Sequence, residues 1–269
     1  MPKRILVLLS SLLLAAQATA AELSIDVGQG ARTWHTDELL KLPQVRTLRI
    51  RQDVSYKRDM TYRAVPFKVL LPGVSADDHL QAVALDGFAA ELAAGPLLNT
   101  GKPQAWLAIE DPAHPWPPLA AGKPSAGPFY LVWTDPAAGP ISPEQWPFQV
   151  RRIRKLSSVA ERFPAMVPDP ALKPDDPVNQ GFALFQKNCL ACHRLNGQGD
   201  AQFGPDLNIP FSPTEYFADG FLKRYIRDPQ SLRQWPQAKM PGFSAQVLPD
   251  GDLDLLVGYL KHMAERRGH

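Results

Sequence analysis

The hydrophobic positions of this chain follow two rhythms. Up to about residue 156 they come in short runs between turn signals. Residues 47–51 alternate polar and apolar side chains, as a half-buried strand does. Residues 129–133, Phe-Tyr-Leu-Val-Trp, form a continuous apolar run that reads as a buried strand, and residues 148–153 alternate again and are expected to close a sheet. Two short helical pieces are expected among them, one at 36–40 with Thr36 as N-cap and one at 66–71. Past residue 177 the spacing changes to three and four. Val178, Phe182, Phe185, Cys189 and Cys192 share one face of a helix over 178–191. Residues 253–266 read as a second strong helix, with Asp250 or Asp252 near its start, and further helical stretches are expected at 214–225 and 229–232.

Between the two regimes, Pro164, Pro168, Pro170, Pro174 and Pro177 rule out a continuous helix and favour an extended connector over 157–176. The fold class expected is therefore two domains, an α+β, mostly strand domain at 21–156 and an all-α domain at 177–269. The length of 269 residues fits, at roughly 150 residues per domain.

The first twenty residues stand apart. Lys3 and Arg4 precede an apolar stretch over 5–16, and Ala18-Thr19-Ala20 is an A-x-A cleavage site, so 1–20 reads as a secretory signal peptide. The apolar run is well short of the ~20 residues that span a bilayer, and no later segment is longer, so no stable membrane anchor is expected. Export implies a periplasmic location. Lys3 and Arg4 carry the whole formal excess of +2, which leaves the mature chain near neutral; with no long basic tract, nucleic acid is not an expected partner. A hydrophobic content of 45% with 21% charged residues is that of an ordinary globular protein.

The chain has two cysteines, and both lie in Cys189-Leu190-Ala191-Cys192-His193. This is the attachment pattern of c-type haem. On one helical turn the two thiols can form thioethers to the haem vinyl groups while the histidine faces the iron. A reduced thiol pair, or a disulfide with a bystander histidine, also fits the bare motif; the export signal, the flanking helices and a plausible sixth ligand favour haem. Met240, in Lys239-Met240-Pro241-Gly242-Phe243, is that ligand candidate. A thioether is soft and neutral and favours ferrous iron. Met60 and Met166 lie outside the expected helical domain, and Met263 and His262 sit on the last helix, where packing or solvent is the ordinary role. A core methionine with the iron open is the competing reading for Met240. Arg233 and Trp235 precede this loop and are candidates to approach the haem propionates.

The second region resembles the class I (mono-haem) cytochromes c. Gly181 and Phe185 resemble the small and aromatic pair on that family's first helix, and Leu256 and Tyr259 match positions where the last helix crosses it. The stretches Gly197-Gln198-Gly199-Asp200 and Gly204-Pro205-Asp206-Leu207 resemble the loop after the proximal histidine. The resemblance implies that Cys189 and Cys192 bind one haem c covalently, that His193 and Met240 ligate the iron, and that the Pro205 carbonyl orients His193. The first region resembles, diffusely, the molybdopterin-binding domain of the sulfite-oxidase family, through residues 64–71, 84–88, 127–132 and 146–153. That family holds molybdenum by a cysteine thiolate, and residues 21–156 contain no cysteine; a molybdenum cofactor is therefore not expected, and the domain reads as a degenerate scaffold.

The remaining candidates are weak. His35, His79 and His114 have no ligand-type spacing, and Asp77, Asp78 and Asp86 read as turn residues. Arg151, Arg152, Arg154 and Lys155 read as a solvated strand edge or a docking patch for an acidic partner. The expectation is a periplasmic electron carrier, not itself an enzyme, that passes single electrons between redox proteins such as a dehydrogenase, an oxidase or another cytochrome. The alternatives are a haem-containing oxidoreductase whose first domain binds a cofactor or substrate, and a haem-based sensor.

Overall fold

The computed structural model describes residues 20–139, 141–218 and 220–267. The signal-peptide reading of 1–20 therefore lies, apart from Ala20, outside the described residues. Among the described residues no helix is long and apolar enough to cross a membrane.

The chain begins with a hairpin of β1 (Glu22–Asp26) and β2 (Ala31–His35). Helix α1 (Thr36–Leu40) follows, and its cap is His35, not Thr36: the His35 amide donates to Glu38 Oε2 at 3.1 Å. Thr36 is buried instead, and its hydroxyl donates to the Ala21 carbonyl at 3.3 Å. Next come β3 (Arg46–Ile50), β4 (Met60–Pro66) and a 3-10 turn at Phe67–Leu70, where the sequence places a helical turn. The region is completed by β5 (His79–Ala84), β6 (Ala89–Ala93), α2 (Ala94–Leu98), β7 (Gln104–Ile109), β8 (Phe129–Thr134) and β9 (Val150–Leu156).

These strands make two sheets, a five-stranded one in the order β2-β1-β9-β5-β6 and a four-stranded one in the order β3-β4-β7-β8. Pairing is antiparallel throughout except for β1 with β9. Apolar residues of both sheets meet in one core, where Phe129, Tyr130, Leu131, Val132 and Trp133 of β8 are all buried, as the unbroken apolar run requires. A carboxylate sits inside this core. Asp53, fully buried in the β3–β4 turn, accepts from the amides of Ser55 and Tyr56 and from the hydroxyls of Tyr62 (2.9 Å) and Tyr130 (3.2 Å).

β9 departs from expectation. It lies in the middle of its sheet, hydrogen-bonded to β1 on one side and β5 on the other, so its basic residues are not a strand edge. A register shift between Val83 and Ala84 places a bulge at Arg151, which turns both Val150 and Ile153 inward. Arg154 donates to Gln81 Oε1, Lys155 pairs with Asp78, and Arg151 donates to the Ala84 carbonyl.

The proline-rich stretch is packed rather than free. It contains α3 (Val159–Arg162) and a 3-10 turn at Pro164–Met166, and Val159 and Met166 are buried in a second core. That core is organised by α4 (Pro177–Asn188) and α8 (Asp250–Ala264). Asp176 caps α4 by accepting from the Val178 amide at 2.9 Å, with Pro177 at the first helical position. The apolar face of α4 puts Phe182 and Phe185 against Tyr259 of α8, with ring centroids 5.5 and 5.4 Å apart. Burial of each such ring stabilises by roughly 2 kcal/mol. The Tyr259 hydroxyl donates to the Met166 carbonyl at 2.7 Å, which ties the connector to this core. The single stretch expected at 214–225 is two helices, α5 (Pro213–Tyr216) and α6 (Phe221–Arg227), separated by Gly220 in a left-handed conformation. α7 (Pro229–Leu232) follows directly.

Candidate functional site

Helix α4 ends where the cysteine motif begins. Cys189 is the C-cap, and the amides of Cys192 and His193 donate back to its carbonyl at 3.0 and 2.9 Å. This winds the five residues into a tight turn with both thiols unpaired. Burial pushes the Cys189 thiol far above its ordinary range, with Glu144 and Cys192 adding to the effect. Cys192 is pushed up to about 11 by burial, then by Glu144 and Asp86. Both sulfurs are therefore held as neutral thiols, the form whose S–H adds across a vinyl C=C to give a thioether.

His193 is held by one ring nitrogen. Its Nδ1–H donates to the Pro205 carbonyl at 2.9 Å, which leaves the Nε2 lone pair free. Burial holds its pKa below the usual imidazole value, against the opposing effects of Pro205 and Asp206, and so favours the neutral ring. The loop that supplies Pro205 is itself fixed. Gly204 donates to the Cys192 carbonyl at 2.7 Å, and a Cβ built there would lie 2.5 Å from His193 Cε1, so only glycine allows the loop this close. Asp206 accepts from the amides of Gly197, Asn208 and Ile209 at 2.7, 2.8 and 2.9 Å. The residues thus fit a c-type haem by their donor set: two unpaired thiols and an imidazole with one nitrogen committed to a carbonyl.

Met240 is half-buried against the second core. Its loop is pinned to α6, since the Phe243 amide donates to the Ile226 carbonyl at 3.0 Å and Arg227 donates to the Phe243 carbonyl at 2.9 Å. Lys239 and Pro241, on either side of Met240, line the same cleft as Cys192. Met60 and Met166 are buried in the first and second cores, and Met263 is buried on α8. The His262 ring accepts from the Asp169 amide at 3.1 Å. Arg233 stacks over the exposed Trp235 ring at 5.6 Å.

That cleft, of ≈ 440 Å³, lies between the two regions. Phe203 and Cys192 face Phe88, Trp146 and Phe148 across it, and the Phe88 and Phe203 rings are 6.1 Å apart. Glu144 also lines it. This carboxyl is almost fully buried, its Oε2 has no hydrogen-bond partner, and burial pushes its pKa up to about 7. Sequence reading missed Glu144, because a lone glutamate in Ser-Pro-Glu-Gln carries no signal of burial.

It also missed the polar strap that joins the two regions. Glu91 on β6 accepts from Gln81 and from Arg162 of α3, each at 2.7 Å, and also meets His79. Gln81 and Arg162 both reach Asp200 in the loop after the cysteine motif, at 2.9 and 3.3 Å. His79 is thus part of a buried network, whereas His35 is half-buried and His114 exposed, each near a single carboxylate. Asp78 and Asp86 serve as turn residues by accepting from the amides of Ser75 and Phe88. Among the described residues no three His, Cys, Asp or Glu side chains converge as a metal-holding group.

No curated protein matches the chain. A solved structure described as the sulfane dehydrogenase SoxCD from Paracoccus pantotrophus is similar at 17% identity and a TM-score of 0.37, covering 58% of this chain and 43% of that one. The chain thus spans less than half the length of that structure's chain. The family model for Cytochrome c matches residues 178–264. This range holds α4, the cysteine motif, the Pro205 loop, Met240 and nearly all of α8, and residues 178–264 are a cytochrome c domain.

Proposed function

We propose that this protein is a periplasmic mono-haem c-type cytochrome that carries single electrons between redox proteins. The observation that carries the reading is His193: its Nδ1–H is engaged by Pro205 while its Nε2 stays free, beside two neutral, unpaired thiols. In this reading Cys189 and Cys192 would hold the haem by thioethers, His193 and Met240 would ligate its iron, and Pro205 would fix the histidine's orientation. Bound haem supplies one-electron exchange at iron. The protein's part would be to keep His193 and Met240 in place and to limit water with the apolar walls around Phe185, Phe203 and Phe243. No general acid or base is needed for such a carrier.

The first region, in the same proposal, is a degenerate domain of the sulfite-oxidase molybdopterin type that shields or docks. Its lack of cysteine supports this. The cleft at Cys192 favours a second reading, in which a ligand held by the first region exchanges electrons with the haem inside one chain. Elemental analysis of protein matured in a periplasm separates the two. About one iron and no molybdenum per chain is expected; stoichiometric molybdenum would favour the enzyme. Retention of the haem absorbance after denaturation, and its loss in Cys189→Ala with Cys192→Ala, checks the covalent link.

A further inference from the structure

Glu144 is an expensive side chain to place where it is. It sits in a short 3-10 turn, Pro143–Gln145, that packs on α4 and on β6. The turn itself is closed by other residues, since the Ser142 amide donates to Gln145 Oε1 at 2.9 Å. The Glu144 carboxyl is not needed for that cap, and its Oε2 is buried without a partner. A buried carboxylate with one oxygen unpartnered is disfavoured, so burial favours the protonated form. Its charge acts on both cysteine thiols of the attachment motif, and it lines the cleft to which Cys192 contributes. A carboxyl supplied by one region is therefore aimed at the attachment edge of the other.

We infer that Glu144 is a proton-exchange site coupled to electron exchange at the haem. The inference rests on the haem reading above. Glu144 breaks its carboxyl O–H bond and releases the proton into the cleft when one electron leaves for a one-electron acceptor protein. It regains a proton when one electron returns from a donor protein. No other bond forms or breaks, and the buried charge near the haem stays constant through the cycle. The ordinary pKa of a carboxyl is too low for this exchange near neutrality; burial brings Glu144 to about 7, against the lowering effects of its own backbone amide, the Ser142 hydroxyl and Lys187.

Charged groups face Glu144 from each neighbouring element. Lys187 on α4 is itself held below its ordinary pKa by burial, with Asp252 of α8 and Glu144 opposing. Asp86, Lys57 and Lys239 line the cleft. Glu91 on β6 is engaged by Gln81, Arg162 and His79. None of these supplies a hydrogen bond to Oε2.

The test is a spectroelectrochemical titration of the haem-loaded full chain at several pH values around 7, for wild type, Glu144→Gln and Glu144→Asp. In the wild type the ferrous-to-ferric ratio at fixed potential should change nearly tenfold per pH unit, a slope approaching 59 mV. Glu144→Gln should flatten this slope and Glu144→Asp should retain one. Redox-difference infrared spectra of the wild type should show a carboxylic acid C=O band that Glu144→Gln lacks. A flat wild-type profile, an equal slope in Glu144→Gln (as haem propionates would give) or the absence of the infrared band overturns the inference. A protein whose visible spectrum shows no haem overturns the proposed function, and this inference with it. If Glu144→Gln does not fold, the wild-type slope and infrared band decide alone.

Discussion

Gly181 lies where α4 crosses α8, and a methyl group there has no room. A Cβ at this position would stand 2.2 Å from the Leu255 carbonyl oxygen and 2.7 Å from Tyr259 Cβ. Ordinary carbon-to-oxygen contact begins at about 3.3 Å, so Gly181→Ala must part the helices by roughly 1 Å. A gap of that size forfeits about a quarter to a half of each dispersion contact it opens, including those of Phe182 and Phe185 with Tyr259. An approach of 2.2 Å to backbone puts the overpacking cost at the upper end of its range, about 2–3 kcal/mol, and the better helix propensity of alanine returns roughly 1 kcal/mol. The expected net loss is about 1–2 kcal/mol. Gly258, on α8 itself, is the control: a Cβ there meets nothing within 4 Å, so Gly258→Ala should gain about 0.5–1 kcal/mol. Thermal unfolding of the holoprotein, followed by tryptophan fluorescence and haem absorbance, would show Gly181→Ala melting roughly 2–8 °C below wild type and Gly258→Ala at or above it. A Gly181→Ala variant as stable as wild type would refute the close-crossing argument.

Other outcomes follow from the same structure. Asp53→Ala leaves the buried Tyr62 hydroxyl and the Ser55 and Tyr56 amides without their acceptor and should cost roughly 2–5 kcal/mol; a denaturant midpoint within error of wild type would contradict this. Arg162→Met strips the main cation from Glu91, whose side chain is 3% exposed, and should destabilise by about 3 kcal/mol, read as a shifted urea midpoint at constant slope. Because the folded-state pKa of Glu144 lies above its unfolded value of 4.5, the native state binds more protons between 4.5 and about 7. Stability should therefore fall as pH rises through that window, by about 3 kcal/mol in all, and stay level above it; Glu144→Gln should lack this decline in pH-dependent denaturation. Met240→Ala should lower the midpoint potential of the haem-loaded protein and let carbon monoxide bind the reduced form, which a stable thioether ligand resists; unaltered carbon monoxide binding would remove Met240 from the axial position.

Local chemistry was legible in the sequence wherever neighbours along the chain suffice. Cys189, Cys192 and His193 lie within one helical turn, and their spacing alone makes them a unit. The unbroken apolar run of β8 and the three-and-four spacing of α4 and α8 report burial directly, because the period of a pattern follows from backbone geometry. Pro205 was reachable only through resemblance, since nothing in its own sequence says that its carbonyl meets a histidine ring.

The tertiary structure decided what depends on chain-distant partners. Alternation in β9 shows one inward face, but whether a strand is an edge or a centre depends on what pairs with both its sides. Here β1 and β5 do, and they turn an expected basic edge into an internal ladder. The prolines forbid a long helix, yet Val159 and Met166 pack because the second core offers them apolar surface. Glu91, Gln81, Arg162 and Asp200 are unremarkable apart and become a strap only when β5, β6, α3 and the loop after the cysteine motif converge. Glu144 makes the same point most sharply. Its identity as a carboxyl is written in the chain, but its proton affinity is set by the water it has lost, and only the packing of its turn on α4 and β6 removes that water.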